Sequence, residues 1–213
     1  MKKTIPAICI GFCLCFILSA YMDSTQAALS QGVIRLHVVA NSDSGADQQL
    51  KLKVRDRILN ECGVMFENTE TIDAVKADIC SNMDYIQKIA SDEIAKNGYN
   101  YPVEVSFGTS DFPQKQYGNI TLPAGEYQAL KVNIGSAQGK NWWCVLFPPL
   151  CFVDEACVSV SADSQDKLKQ QLGTSAYNMV SDASGIEFKL KSYELWQTGK
   201  AVLTNYFAKT INK

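Results

Sequence analysis

The chain has 213 residues, of which 46% are hydrophobic and 20% are charged, and its formal net charge at pH 7 is −2. That length is sufficient for one domain of roughly 150–200 residues with its own hydrophobic core. A mildly acidic chain without a basic cluster argues against nucleic acid as a partner and against a polybasic membrane-surface module.

Residues 1–28 have the layout of an export signal. Lys2 and Lys3 give the start a positive charge, a long apolar stretch follows, and residues 25–27 form an acceptable cleavage site. The apolar stretch is also about long enough to span a thin bilayer, so an uncleaved N-terminal anchor is the alternative. In both cases we expect residues 29–213 to form a single domain outside the cytoplasm.

The first predicted strand is Val33–Ala40. Its apolar residues alternate with Arg35 and His37, which should therefore face the opposite side of the sheet. Residues 41–45 are all turn formers, so the strand should end there.

Two amphipathic helices are predicted next. Ser44 with Asp47 three residues later is typical of a helix start, and this helix should run to about Cys62, with Gly63 just beyond its end. A second and longer helix is expected over Glu70–Lys96, where apolar residues recur at helical spacing. Joined by a short loop, the two helices should form an antiparallel hairpin that covers one face of the sheet.

Four further segments have the pattern of strands: Tyr101–Phe107, Gly118–Leu122, Glu126–Ile134 and Trp142–Phe147. The turn at residues 123–125 should pair the second of these with the third as a hairpin. The last strand must stop at Pro148-Pro149, because proline cannot donate ladder hydrogen bonds. The sequence therefore predicts a meander whose most apolar strand comes last.

The C-terminal part predicts smaller elements. They are a strand at Cys157–Ser161, a short helix at Ser164–Leu172, a connector at Thr174–Gly185, a strand at Ile186–Leu190 and a closing helix at Tyr193–Ala208. The predicted class is α+β: an antiparallel-rich sheet or meander covered by an αα-hairpin and a C-terminal helix.

Five cysteines follow the leader: Cys62, Cys80, Cys144, Cys151 and Cys157. Export permits a disulfide, and an odd number leaves at least one free thiol. Cys144 and Cys151 flank Pro148-Pro149, which could bring them together, so they are the disulfide candidates; two buried free thiols are the alternative. With His37 as the sole histidine and no Cys-x-x-Cys pair, we expect neither a metal site nor a cofactor.

Candidate catalytic residues are few. His37 is the only imidazole base, and no Gly-x-Ser-x-Gly elbow accompanies it. Asp43 lies in a turn, where a carboxylate is expected for capping reasons. Ser164 and Lys167 match Ser-x-x-Lys, but Ser-Asp-Asn and Lys-Thr-Gly are missing. We therefore expect no enzyme; the alternative is an exported cell-wall hydrolase that uses His37 and Asp43.

An aromatic cluster lies in the last predicted strand. Trp142 and Trp143 should face opposite sides of it, so one is expected in the core and the other could be exposed. Exposed tryptophan is a favoured anchor at protein interfaces. Core and interface both remain open for this cluster.

Two long segments resemble one known family. LHVVANSDSGADQQLKLKVRD, from Leu36 to Asp56, and the stretch from Tyr117 to Phe152 are similar to the stage II sporulation protein R family of endospore-forming bacteria. The resemblance implies a protein that is secreted from the forespore into the space between its two membranes. There it would activate a membrane-embedded aspartic protease of the mother cell, which processes the precursor of sigma factor E.

The resemblance also implies a signalling ligand without catalytic residues. The most recognisable motifs are the Asn41-Ser42-Asp43 turn and the segment Asn141–Phe152. The resulting candidates for contact with the protease are Asn41, Ser42, Asp43, Trp142, Trp143 and Phe147. The alternative for both motifs is a fold-defining role. We expect contact with the membrane only through the leader or through the receptor.

Overall fold

The computed structural model describes residues 27–66, 69–150 and 160–181. Residues 1–26 of the predicted leader, Cys151 and the C-terminal elements Ile186–Leu190 and Tyr193–Ala208 lie outside these residues, as does most of the predicted strand Cys157–Ser161. Six strands are described: β1 (Ile34–Val39), β2 (Val103–Phe112), β3 (Lys115–Tyr117), β4 (Ile120–Leu122), β5 (Gly125–Ile134) and β6 (Asn141–Phe147). Residues 27–32 are helical and precede β1, and the further helices are α1 (Gly45–Met65), α2 (Ile72–Ser81), α3 (Met83–Lys96) and α4 (Ala162–Ser181). The predicted α+β class is confirmed.

The main sheet has the strand order β2-β5-β1-β6. β1 is parallel to β5 and antiparallel to β6, and β2 is antiparallel to β5. The predicted meander is therefore wrong in its pairing, because β1 separates β5 from β6. All six residues of β1 are buried, as expected for a central strand.

The predicted hairpin between Gly118–Leu122 and Glu126–Ile134 is also wrong. β4 pairs with β3 instead, and Tyr117 lies opposite Ile120 across a two-residue loop. Gly118 in that loop has a φ of 56°, which glycine adopts readily and which tight hairpin turns require. In this part of the sequence, it is therefore the Gly118-Asn119 pair that indicates a hairpin, and it connects β3 to β4.

The helices differ from prediction at three points. The expected helix Glu70–Lys96 is divided into α2 and α3 at Asn82, whose side-chain Nδ2 donates to the Asp78 carbonyl at 2.8 Å. α1 continues past Gly63 to Met65. α4 continues past a kink at Gly173, where φ is 72°, so the predicted connector is helical as far as Ser181.

The helical layer lies on one face of the sheet. α1 packs against α3 and β1, and α3 packs against β2. The Arg55 guanidinium of α1 lies over the ring of Trp142, which is opposite Val38 in the β1–β6 ladder. The face that carries Leu36 and Val38 is therefore the face that the helices cover. Among the described residues, no helix is both long and apolar enough to cross a bilayer.

We predict that Leu36→Ala destabilises the domain by about 2–5 kcal/mol, because Leu36 is fully buried in the central strand and truncation leaves a cavity under α1. Urea unfolding followed by circular dichroism measures the change. Val64→Ala is the control, since Val64 is 74% exposed and should change the free energy of unfolding by less than about 0.5 kcal/mol. Equal, small effects of both variants would contradict the central position of β1.

Candidate functional site

The Asn41–Asp43 turn connects β1 to α1 through one carboxylate. Asn41 Nδ2 and Ser42 Oγ both donate to Asp47 Oδ2, at 2.9 and 2.5 Å. The Asp47 N–H donates to Ser44 Oγ at 3.1 Å, which confirms the predicted cap at the start of α1. Asp47 is buried, and the hydrogen bond from Ser42, followed by that from Asn41, lowers the pKa of its carboxyl.

The same turn also holds the loop between β5 and β6. The Ser136 N–H donates to Asn41 Oδ1 at 3.0 Å, and the Lys140 N–H donates to Asp43 Oδ1 at 2.6 Å. The Gly139 N–H donates to the Ala40 carbonyl at 2.9 Å. The turn therefore fixes where β6 begins relative to β1.

Two glycines allow this close approach. A Cβ on Gly135, which has a φ of 60°, would lie 2.2 Å from Asn41 Oδ1. A Cβ on Gly139 would lie 2.3 Å from the Ser42 carbonyl oxygen. Asn41 and Ser42 are half-buried and only Asp43 is exposed. These contacts give the turn a structural role; its predicted contact with a partner stays a prediction.

The two adjacent tryptophans have different surroundings, as their opposite orientations on β6 predict. Trp142 lies under α1 with the Arg55 guanidinium 4.1 Å from its ring centroid, and its buried Nε1 has no hydrogen-bond partner in the part of the chain that the structure describes. Trp143 stacks on His37 with ring centroids 3.7 Å apart and meets Phe112 edge-on at 4.7 Å. Both indoles are half-buried, so neither is the freely exposed anchor that was considered.

Phe147 lies at the other end of β6. Its exposed fraction is 4%, so it belongs to the core. A substitution there changes packing first, and Phe147 is therefore a poor probe of contact with a partner.

A buried arginine next to Trp143 was missed by the sequence reading. Arg35 is fully buried, and its guanidinium carbon lies 4.2 Å from the ring centroid of Phe112 and 5.0 Å from that of Tyr127. Its Nη2 donates to the Tyr117 hydroxyl at 2.7 Å, whereas no described residue hydrogen-bonds to Nη1. Burial lowers the pKa of Arg35. Alternation placed Arg35 on this face, but the rings of Phe112, Tyr117 and Tyr127 come from three separate strands, which a local pattern does not bring together.

The candidate catalytic residues have separate partners. His37 Nε2–H donates to Asn141 Oδ1 at 2.8 Å, while its buried Nδ1 has no partner among the described residues. Burial lowers the pKa of the imidazole. Asp43 instead accepts from the Lys140 N–H, so the two residues proposed for a hydrolase do not form a hydrogen-bonded pair.

The Ser-x-x-Lys match is likewise divided between different contacts. Ser164 lies in the first turn of α4, and its Oγ donates to the Pro149 carbonyl at 3.0 Å. Lys167 forms an ion pair with Asp163 at 3.0 Å. Within the described part of the chain, no group of three histidine, cysteine or acidic residues could hold a metal ion.

The described cysteines are of two kinds, disulfide-bonded and free. Cys144 is disulfide-bonded, and its partner lies outside the described residues, so pairing with Cys151 stays a prediction. Cys62 and Cys80 are free. Burial raises the pKa of the Cys62 thiol to about 12, which keeps it protonated and unreactive at neutral pH.

We predict that Asp47→Asn lowers the free energy of unfolding at pH 7 by about 1–2 kcal/mol, because the charge-assisted hydrogen bonds to the turn are lost. The lowered pKa makes this contribution fully present above the unfolded pKa of about 3.9 and removes it as pH falls through the folded pKa. Chemical unfolding between pH 7 and pH 2 should show the two proteins converging in acid.

Asp111→Asn is the control for that comparison. Asp111 is exposed and has no side-chain hydrogen bond or ion pair within the described part of the chain, so this variant should match the unaltered protein at every pH. A constant difference between Asp47→Asn and the unaltered protein across the pH range would contradict the assigned role of the Asp47 carboxylate.

Comparison with known proteins agrees with the resemblance noted in the sequence. A sequence model of the family described as Stage II sporulation protein R matches residues 30–157. The protein named Stage II sporulation protein R of Bacillus subtilis (strain 168) is 38% identical over 177 residues, which cover 78% of this chain and 79% of the relative. No solved structure matches significantly. Both names describe a sporulation protein and not an enzyme, and the chain belongs to the stage II sporulation protein R family.

Proposed function

We propose that this chain is an exported signalling protein of sporulation. In this proposal it leaves the forespore, enters the space between the two membranes and activates the membrane-embedded aspartic protease that processes the precursor of sigma factor E. The observation that carries the proposal is the family match over residues 30–157, a range that includes all six described strands and α1 to α3. Whether the leader is cleaved or retained as an anchor does not change the proposed site of action.

The arrangement of polar groups supports a ligand better than an enzyme. His37 and Asp43 are engaged with different partners, and so are Ser164 and Lys167. A nucleophile and its base must lie within hydrogen-bond reach of each other to function as a pair. The Asn41–Asp43 turn instead fixes the loop between β5 and β6 relative to the sheet, which suits a protein that presents a fixed surface to a partner.

Activation by such a ligand requires a difference in affinity. The domain must bind the active arrangement of the protease, which we take to be its dimer, more tightly than the inactive one. A domain that bound both arrangements equally would leave the equilibrium unchanged. The signal is then a shift in population, and no chemistry is needed from the ligand itself.

The direct test is reconstitution in a host that does not sporulate. The protease and the sigma-factor precursor are produced with and without this protein, and the size of the precursor is followed on a blot. We expect cleavage only when this protein is present and exported. Unprocessed precursor alongside a folded, exported protein would refute the proposal.

In the same assay we predict that Trp143→Ala reduces precursor cleavage several-fold at equal exported amounts. Trp143 is half-buried and near the exposed end of β6, so removal of the indole changes the local surface as well as the stack on His37. Trp143→Phe, which keeps a ring in the stack, should retain more activity, and Val64→Ala, on the exposed side of α1, should retain all of it. Full activity of a folded Trp143→Ala protein would remove Trp143 from the contact surface.

One observation keeps the cell-wall hydrolase as a second candidate. Within the described residues, the buried His37 Nδ1 has no hydrogen-bond partner, as is expected of a base awaiting a substrate proton. We predict that His37→Gln, which can still donate to Asn141, releases the same background amount of soluble fragments from purified cell wall as the unaltered protein. Loss of a measurable wall-degrading activity in this variant would favour the enzyme.

A further inference from the structure

Among the described strands, β2 forms one edge of the main sheet and pairs with β5 alone. Their antiparallel register is unbroken over ten residues, from Val103 opposite Ile134 to Phe112 opposite Gly125. An edge strand of this length presents a row of backbone donors and acceptors. We call this row the β2 edge.

The backbone hydrogen bonds between β2 and β5 show which residues of β2 direct their N–H and C=O groups away from the sheet and so form the β2 edge. The Gly135 N–H donates to the Pro102 carbonyl at 2.8 Å, just before the first ladder pair. Because hydrogen-bonded and non-hydrogen-bonded pairs alternate in an antiparallel ladder, even-numbered residues of β2 direct their backbone groups toward β5. The odd-numbered residues direct theirs away from the sheet: Val103, Val105, Phe107, Thr109 and Asp111. In the described part of the chain, none of these outward backbone groups has a hydrogen-bond partner.

The β2 edge lacks three of the features by which proteins protect an edge strand, namely proline, lysine and a bulge within the strand. Such strands are typically interrupted by proline, lysine or a bulge. The sequence of β2, VEVSFGTSDF, contains no proline and no lysine, and its register with β5 has no shift. The prolines nearby, Pro102 and Pro113, lie just outside the strand at its two ends.

The side chains of β2 indicate the chemistry of a matching strand. Val103 and Phe107 are half-buried on the face that carries the helices, so apolar side chains beside them would extend the core. Glu104 and Asp111 are the only charged residues of β2; both are exposed and neither has an ion pair within the described residues. Side chains alternate along a strand, so Asp111 shares the face of Val103 and Phe107 at the far end of β2, and Glu104 lies on the opposite face. A neighbouring strand with basic residues on the Glu104 face would neutralise that carboxylate.

We propose that the β2 edge binds an extended segment of a protein partner as a fifth strand, with apolar side chains toward the helical layer and basic side chains on the opposite face, near Glu104. The mode is strand addition, in which backbone hydrogen bonds supply affinity and alternate side chains supply specificity. A second copy of this chain is a poorer occupant, because two such edges would bring four carboxylates and no cation into one seam. The identification of the partner with the protease rests on the proposed function.

Thr109→Pro and Thr109→Ala form a matched pair for the test. Thr109 is exposed, and its N–H faces away from β5, so proline removes one outward donor and leaves the ladder with β5 intact. Both substitutions lose the hydrogen bond from Gln128 Nε2 to Thr109 Oγ1, which is 3.0 Å long. A difference in peptide binding between the two variants therefore measures the contribution of the outward N–H at position 109 of the β2 edge.

The first measurement is amide hydrogen exchange by NMR on the full chain, alone and with a ten-residue peptide in which lysine alternates with valine and threonine. We expect the odd-numbered amides of β2 to exchange fast in the free protein and to be protected by the peptide. Thr109→Ala should bind as the unaltered protein does, and Thr109→Pro about tenfold more weakly. Odd-numbered amides already protected in the free protein would overturn the proposal, since the edge would be occupied by the chain itself or by a second copy. Protection confined to another surface, or equal binding by both variants, would overturn it as well.

The second measurement is precursor cleavage in the reconstituted host with the same two variants. We expect Thr109→Ala to activate cleavage and Thr109→Pro to activate it several-fold less at equal exported amounts. Equal activation by both would overturn the β2 edge as the contact with the protease and leave the proposed function standing. If the unaltered protein does not activate cleavage, the proposed function fails, and the peptide measurement alone decides whether the edge binds a strand.

Discussion

The burial of β1 on both faces is the constraint on which the rest of the domain depends. Each of its six residues is buried, so β1 needs a strand on either side and a layer above and below. β5 and β6 supply the strands, and α1 supplies the layer over Leu36 and Val38. Because β5 is parallel to β1, the chain must cross over between them, and α1 to α3 lie within that connection.

The other face of β1 carries Arg35, so covering that face buries a cation. The Arg35 guanidinium lies among aromatic rings, and within the described residues no carboxylate pairs with it. Cation–π contacts contribute about 0.5–2 kcal/mol each, depending on desolvation, and so offset part of the cost of burying the charge. The rings of Phe112, Tyr117 and Tyr127 come from β2, β3 and β5. Arg35 thus connects the small β3–β4 hairpin to the main sheet.

The sequence predicted those features that a local pattern determines. Alternation placed β1, β5 and β6 nearly at their observed bounds and put Trp142 and Trp143 on opposite faces. It could not predict that β1 lies between β5 and β6, because a period of two specifies the face of a residue and not its neighbouring strand. The break at Asn82 was missed for a related reason: apolar residues continue at helical spacing across it, while the interruption depends on the backbone there.

Local patterns also failed to distinguish structural motifs from candidate contact surfaces. The Asn41–Asp43 turn is conspicuous in the sequence, yet its carboxylate, amide and hydroxyl groups are bonded to Asp47 and to the β5–β6 loop. β2 has no conspicuous motif, and its outward backbone groups have no partner within the described residues. A protein partner forms hydrogen bonds only with groups that the fold has left available. The unremarkable strand at the edge therefore has more capacity for recognition than the turn that identifies the family.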